Sequence, residues 1–370
     1  IGVIISFLGA RGAYVFAAPA IAMAFVIPTK NLTEERAMAG RCCSTRVNVD
    51  TTLAVIALLM GFGALGLSTL SISGSGLQAK IVAALCLAIM VLILFSLGLN
   101  PVIAKINAFF FIQHLCAFGV DGAAFYFFTD GEEQYPEGPH FSTIFYTSVL
   151  GISSTAFSLL GMVIYTRYMR TWRYQQVLMV GNLLASGAGL VGCFVYLRWN
   201  LILGLSDRFF VVASDSIKTV MFEIAWLPGM LIISQVCPEG QEATIFALLA
   251  GSGNLGSNLG NYFGSFLLHL LGVEPNGSIG ESAQFDRLWL AALISAIGPC
   301  LPLCLMPLLI PNVSQQDKIE GLGNATDGSV IAHLRGIHPK AAPSVVEFQR
   351  IGKPDTWNGD GVSEEGSVED

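Results

Sequence analysis

The chain has 370 residues, 53% hydrophobic and only 12% charged, with a formal net charge of −7 and a mean hydropathy of +0.64. A soluble domain carries about 25% charged residues, so this chain cannot cover a water-facing surface of ordinary size. No basic surface exists to displace counterions from nucleic acid, and the cysteines sit mostly in apolar runs without zinc-type spacing, which excludes a nucleic-acid binder and a disulfide-built secreted domain. What remains is an all-α polytopic membrane protein with the lipid bilayer as its surroundings.

A helix needs about 20 apolar residues to cross the hydrocarbon. The chain opens at Ile1 inside an apolar run, which reads as an N-terminally truncated fragment, with 1–28 the end of an N-terminal helical bundle. Nine spans are predicted near 13–28, 51–72, 81–99, 106–129, 142–166, 174–197, 209–236, 243–272 and 288–310. A basic cytoplasmic loop, 29–50, separates the first from the membrane helices of 51–310. The segment 311–370 holds 10 acids and 5 bases, is rich in Gly, Ser and Pro, and lacks apolar periodicity. Its composition predicts a disordered cytoplasmic tail.

Orientation follows from the basic residues. One face has Lys30, Arg36, Arg41, Arg46, Lys105, Arg167, Arg170, Arg173 and Lys318; the other has Arg11, Lys80, Arg198, Arg208 and Arg287. The positive-inside rule puts the first set, and with it the C-terminus, in the cytoplasm. The loop 130–141 has no base and carries Asp130, Glu132, Glu133 and Glu137.

Four formal charges fall within the predicted spans: Asp121, Asp215, Lys218 and Glu223. Each costs roughly 2.5–3.5 kcal/mol at the bilayer centre on insertion scales, so such groups face a cavity or a partner. Asp215 and Lys218 are three apart and can pair within one helix; Glu223 lies too far around to join them. This set fits either a structural salt bridge with a neutral glutamic acid, or a polar binding lumen. The next helix places Asn254, Asn258 and Asn261 within one narrow sector and Gly256, Gly260 and Gly264 on the opposite side, a repeated GxxxG that admits a close neighbour. The asparagines either line a lumen or bond across helices. Gly251 to Gly256 matches GxGxxG by letter, but it lies inside an apolar helix rather than after a strand. In 106–129, Asn107, His114 and Asp121 recur every seven residues, so a proton relay from His114 to Asp121 is one reading and a satisfied interior histidine the other. No HExxH or GxSG motif occurs, so no enzyme activity is expected, and nothing calls for a cofactor or resident metal.

The stretch Asp121-Gly-Ala-Ala-Phe-Tyr-Phe-Phe-Thr-Asp130, followed by Tyr135-Pro-Glu-Gly-Pro-His-Phe-Ser142, resembles the folate–biopterin transporter family, most closely its branch in parasitic protozoa. Ser158-Leu-Leu-Gly161, Trp226-Leu-Pro-Gly229 and Cys237-Pro-Glu-Gly-Gln-Glu-Ala-Thr244 continue the likeness, which runs from about residue 13 to 311. The resemblance implies a major facilitator-like bundle with a midplane site and alternating access, in the plasma membrane. It further implies folate or unconjugated pteridines as substrates, taken up with protons; one branch is associated with S-adenosylmethionine instead. Most of the N-terminal bundle is missing relative to that pattern. On this reading Asn254, Asn258 and Tyr126 bind the pteridine ring, and Lys218, beside Asp215, meets the glutamate of folate. Asp121, Glu223 and His114 carry the proton.

Overall fold

The computed structural model describes residues 51–238, 241–317, 319 and 322–336. The predicted span 13–28, the basic loop 29–50 and residues 337–370 lie outside the described residues. Among the described residues the secondary structure is helical, with one isolated β-bridge between Arg173 and Ser314.

Hydrophobic runs of bilayer length give α1 (Thr51–Ile72) and α2 (Leu77–Gly98), joined by a turn at Gly74. The Asn100 side chain then accepts the Val102 amide at 2.9 Å and Pro101 supplies the first helical position, which starts α3 (Pro101–Leu115). After α4 (Asp121–Thr129) come α5 (Phe145–Met169), with a π-turn at either end, and α6 (Tyr174–Val195). Ser206 caps α7 (Asp207–Gln235), and α8 (Glu242–Leu271) stops at Gly272 in the left-handed conformation. Finally α9 (Ser282–Leu309) tightens into a 3-10 helix over Gly298–Leu305, where prolines remove backbone donors.

Six of these helices (α1, α2, α5, α6, α7 and α9) are long and apolar enough to cross a membrane. Their outer faces stay apolar: Phe62, Leu65 and Ile152 are all largely exposed, as lipid-facing residues are. The chain is an all-α polytopic membrane protein. Its helices gather in two groups. In one, α7 lies between α5 and α6, with α9 against α6; in the other, α8 lies between α2 and α3, with α1 on α2.

Two expectations fail here. The span 106–129 is not one helix, because it breaks at residues 116–120. The break is wedged between α8 and α9. A Cβ added at Gly260 would sit 2.7 Å from the His114 carbonyl oxygen and 2.8 Å from that of Ala117. One at Gly264 would sit 2.5 Å from the Gly119 nitrogen. Ser295 of α9 donates to the Phe118 carbonyl at 2.5 Å, satisfying a group the break sets free. Non-helical backbone at membrane depth is tolerated when protein surrounds it in this way.

The second failure concerns the tail. Disorder was expected from its composition, yet the described residues between 311 and 336 pack on the helix ends. The Gln315 side chain, 3% exposed, accepts the Tyr165 hydroxyl and donates to the Met169 and Trp172 carbonyls at 2.8 and 3.1 Å. Its own carbonyl accepts Gln235 Nε2 at 2.8 Å. Farther on, Ala325 accepts the Asn100 amide at 2.7 Å, a short helix α10 (Val330–Leu334) rests on α2, and Arg335 donates to Thr52 at 3.0 Å. Main-chain groups, the Gln315 amide, the Arg335 side chain and a few scattered apolar residues such as Ile319 and Ala325 make this docking, a mixture without the periodicity that a sequence reading detects.

Candidate functional site

The polar residues of α7 meet a row of serines on α5. Ser153, Ser154 and Ser158 share one helix face, and small Gly161 continues it. A Cβ at Gly161 would lie 2.8 Å from Glu223 Cβ and 2.9 Å from the Val220 carbonyl oxygen. At that spacing short hydroxyls reach across. Ser154 donates to Asp215 Oδ2 at 2.7 Å, Ser158 donates to Glu223 Oε1 at 2.6 Å, and the Ser153 and Ser216 hydroxyls lie 2.9 Å apart. Glu223 Oε2 is buried with no hydrogen-bond partner. A carboxylate held so would leave one oxygen desolvated and unsatisfied, at a cost of about 1–3 kcal/mol or more. A ligand donor placed on that oxygen would remove the penalty.

The expected pair between Asp215 and Lys218 does not form. Among the described residues Arg198 forms an ion pair with Asp207, and His269 Nδ1 bonds the Glu274 carboxyl. Ser154 takes the Asp215 carboxylate instead, while Lys218 stands exposed with its field reaching Cys193 of α6.

Asp121 and His114 are also separated from the stripe that the sequence suggests, since the helix break lies between them. His114 Nδ1 is 2.7 Å from the Phe110 carbonyl, and its ring edges the place where Gly253 passes. Asp121 opens α4 on the exposed side, and both it and Asp215 act electrostatically on the half-buried Tyr146 and Tyr196 hydroxyls. Tyr126 belongs to the apolar cluster of Leu268 and Leu271, with a ring carbon 3.6 Å from the Cβ position of Gly277. At about 1.5 Å per residue, Asn258 and Asn254 lie about 15–20 Å nearer the other end of α8. Tyr126 and the two asparagines do not meet.

On α8 the glycine face turns to α3 and the break after it, while Asn254 and Asn258 are exposed on the other side and Asn261, also exposed, touches Gly119 of the break. There α1 and α8 line an open-sided cavity of about 350 Å³, whose polar lining is Ser68, Asn258, Asn261, Tyr262 and Ser265. The Tyr262 hydroxyl bonds to Ser71 of α1. The cavity lies near the midpoint of α8 and no formal charge lines it. Amides, hydroxyls and a phenol can read the donors and acceptors of a neutral planar solute. Sequence reasoning missed Ser68, Tyr262 and Ser265, though the i, i+4 continuation from Asn261 to Ser265 was a usable signal. It missed the α5 serines too, whose spacing puts them on one face.

The family model described as the BT1 family matches residues 14–329. The chain belongs to the BT1 family. Among curated relatives of this BT1 chain, probable folate-biopterin transporter 6 of Arabidopsis thaliana is 28% identical over 219 residues, covering 59% of the chain and 41% of the relative. The folate-biopterin transporter of Synechocystis sp. is 32% identical over 206 residues, covering 55% and 39% respectively. Folate transporter 2 of Plasmodium falciparum is 27% identical over 163 residues, covering 44% and 34%. The matched stretch is thus less than half the length of each. No solved structure matches the chain.

Proposed function

We propose that this chain supplies the C-terminal membrane helices of a secondary transporter for folate or biopterin-type pteridines. It would act by alternating access between two major facilitator-like halves in the plasma membrane, carrying a solute across rather than transforming it. The observation that carries the reading is the uncharged, partly polar cavity beside the middle of α8, in a chain whose long helices are apolar enough to cross a membrane. Family membership and the names of the relatives support the substrate class. In this reading Asn258 and Asn261 bond the edge of the pteridine ring. Asn254, one turn away on the same helix face, extends that edge.

Proton coupling rests on the α5–α7 seam. Glu223, half-satisfied by Ser158, takes up a proton before an anion enters, and Asp121 and Asp215 are the further carboxyls of the same group. Lys218 supplies a positive charge for the glutamate of folate. His114 serves as a helix-end residue beside this path, bonded to the Phe110 carbonyl. The end carrying Lys105, Arg167, Arg170 and Arg173 faces the cytoplasm, and the C-terminal segment with it.

Competition for labelled folate uptake tests the substrate class in cells expressing the full-length gene, with biopterin, methotrexate and S-adenosylmethionine as competitors. Competition by biopterin and methotrexate is expected. Competition by S-adenosylmethionine alone would overturn the assignment.

A further inference from the structure

At the end away from the C-terminal segment, the acidic loop 130–141 closes on the loop 272–286. Two main-chain bonds join them: Gly280 donates to the Glu133 carbonyl at 3.0 Å and Glu281 to that of Gln134 at 2.9 Å. Between the loops lie two carboxyl groups, Asp130 and Glu281, each only 8% exposed. Glu281 Oε2 accepts the amides of Asn276 and Ser278 at 2.9 and 3.2 Å, and Oε1 accepts that of Gly277 at 3.0 Å. Three donors on one carboxyl group fix Glu281 as the anion. Asp130 Oδ2 is buried with no hydrogen-bond partner, and the Glu281 carboxylate acts on the Asp130 carboxyl across the joined loops. Two ionised carboxylates there would repel and leave Oδ2 unsatisfied, whereas a proton on Asp130 supplies a donor toward Glu281.

We propose that Asp130 and Glu281 form a proton-held clasp, in which one proton on Asp130 bridges to the Glu281 carboxylate and fastens the two loops. When the proton leaves to water, two like charges face each other in a buried site and the clasp loosens. Burial first, and the Glu281 carboxylate second, push the Asp130 acid up from 3.8 to about 7; burial also pushes Glu281 up, but the three amides together with the Asp130 carboxyl outweigh it and hold Glu281 below its ordinary 4.5. The signs are opposite. The Asp130 contribution is lost as pH rises toward about 7, and that of Glu281 is lost as pH falls below 4.5, so the clasp is tightest between. Of the other ionisable groups near it, His140 contributes a weaker opposing field and bonds the Asp130 carbonyl oxygen through Nδ1 at 2.8 Å. Glu137 accepts Ser282, and Arg198, Asp207 and Asp286 act on neighbouring Tyr135.

The site stands apart from the pteridine reading, and its test needs no substrate. Hydrogen–deuterium exchange on the full chain in lipid nanodiscs would follow the amides of 276–281, corrected for intrinsic rates. The ionised share of an acid titrating at about 7 rises from about one in eleven at pH 6 to about ten in eleven at pH 8. Protection should therefore fall about tenfold across that interval in the native chain, and stay level in Asp130→Asn, whose amide keeps a donor toward Glu281. A second variant, Glu281→Gln, should move the midpoint well below 7. A native profile without pH dependence, or one unchanged in either variant, overturns the clasp. So does full recovery of protection at pH 8 on adding calcium, which would make the pair a cation site.

Discussion

Replacing Gly260 by alanine tests whether the break between α3 and α4 is held by close contact with α8. The added methyl would meet the carbonyl oxygens of His114 at 2.7 Å, Ala117 at 2.8 Å and Leu115 at 3.2 Å. All three are backbone atoms, so no side chain can swing aside. Restoring ordinary contact requires the helices to part by about 0.5 Å or more, and overpacking of this kind costs about 1–3 kcal/mol. Gly253 on the same helix is the control, because its nearest neighbour would be His114 Cε1 at 3.7 Å. There alanine gains about 0.4–1 kcal/mol by restricting the unfolded chain. The two variants should differ by about 1.5–4 kcal/mol in opposite directions. Thermal unfolding of the purified protein in one detergent, read as a Tm, should place Gly260→Ala below the native chain and Gly253→Ala level with it or above. A Gly260→Ala variant at least as stable as Gly253→Ala would refute the claim that this contact shapes the break.

Glu223→Gln should flatten the pH dependence of folate uptake while leaving the Tm level or higher, since an amide still accepts from Ser158; an unaltered pH profile removes Glu223 from coupling. Lys218→Ala should weaken folate uptake about tenfold or more, the size of one charge-assisted hydrogen bond, with biopterin uptake less affected. Equal kinetics for the two substrates would take Lys218 out of the site. Gln315→Ala orphans the Tyr165 hydroxyl, at about 1–3 kcal/mol for a buried group left unsatisfied, while the Met169 and Trp172 carbonyls keep the backbone amides of Trp172 and Gln315; a lower Tm is expected.

Span positions were legible because hydropathy is local. The first described helix coincides with its predicted limits, and α7 and α8 begin within two residues of theirs. The glycine stripe of α8 was equally readable, since helical spacing alone puts Gly256, Gly260 and Gly264 together. Its partner was not. The run Cys116-Ala-Phe-Gly-Val120 is as apolar as any helix interior, and only the approach of Gly260 and Gly264, with Ser295 from α9, makes it break. Asp215 and Lys218 illustrate the same limit at the site. Their spacing permits a pair, but Ser154, sixty-one residues earlier, holds the carboxylate. Tyr126 packs edge-on against Phe125, which in turn meets Tyr146, a set of ring contacts that sequence spacing does not show.

The chain after α9 ties one end of α5, α6 and α7, through Gln315, to the same end of α1, α2 and α3, through Arg335, α10 and Ala325. One continuous segment thus touches both helix groups, so a cut between Gln315 and Ala325 would unlink the two sets of contacts without removing either.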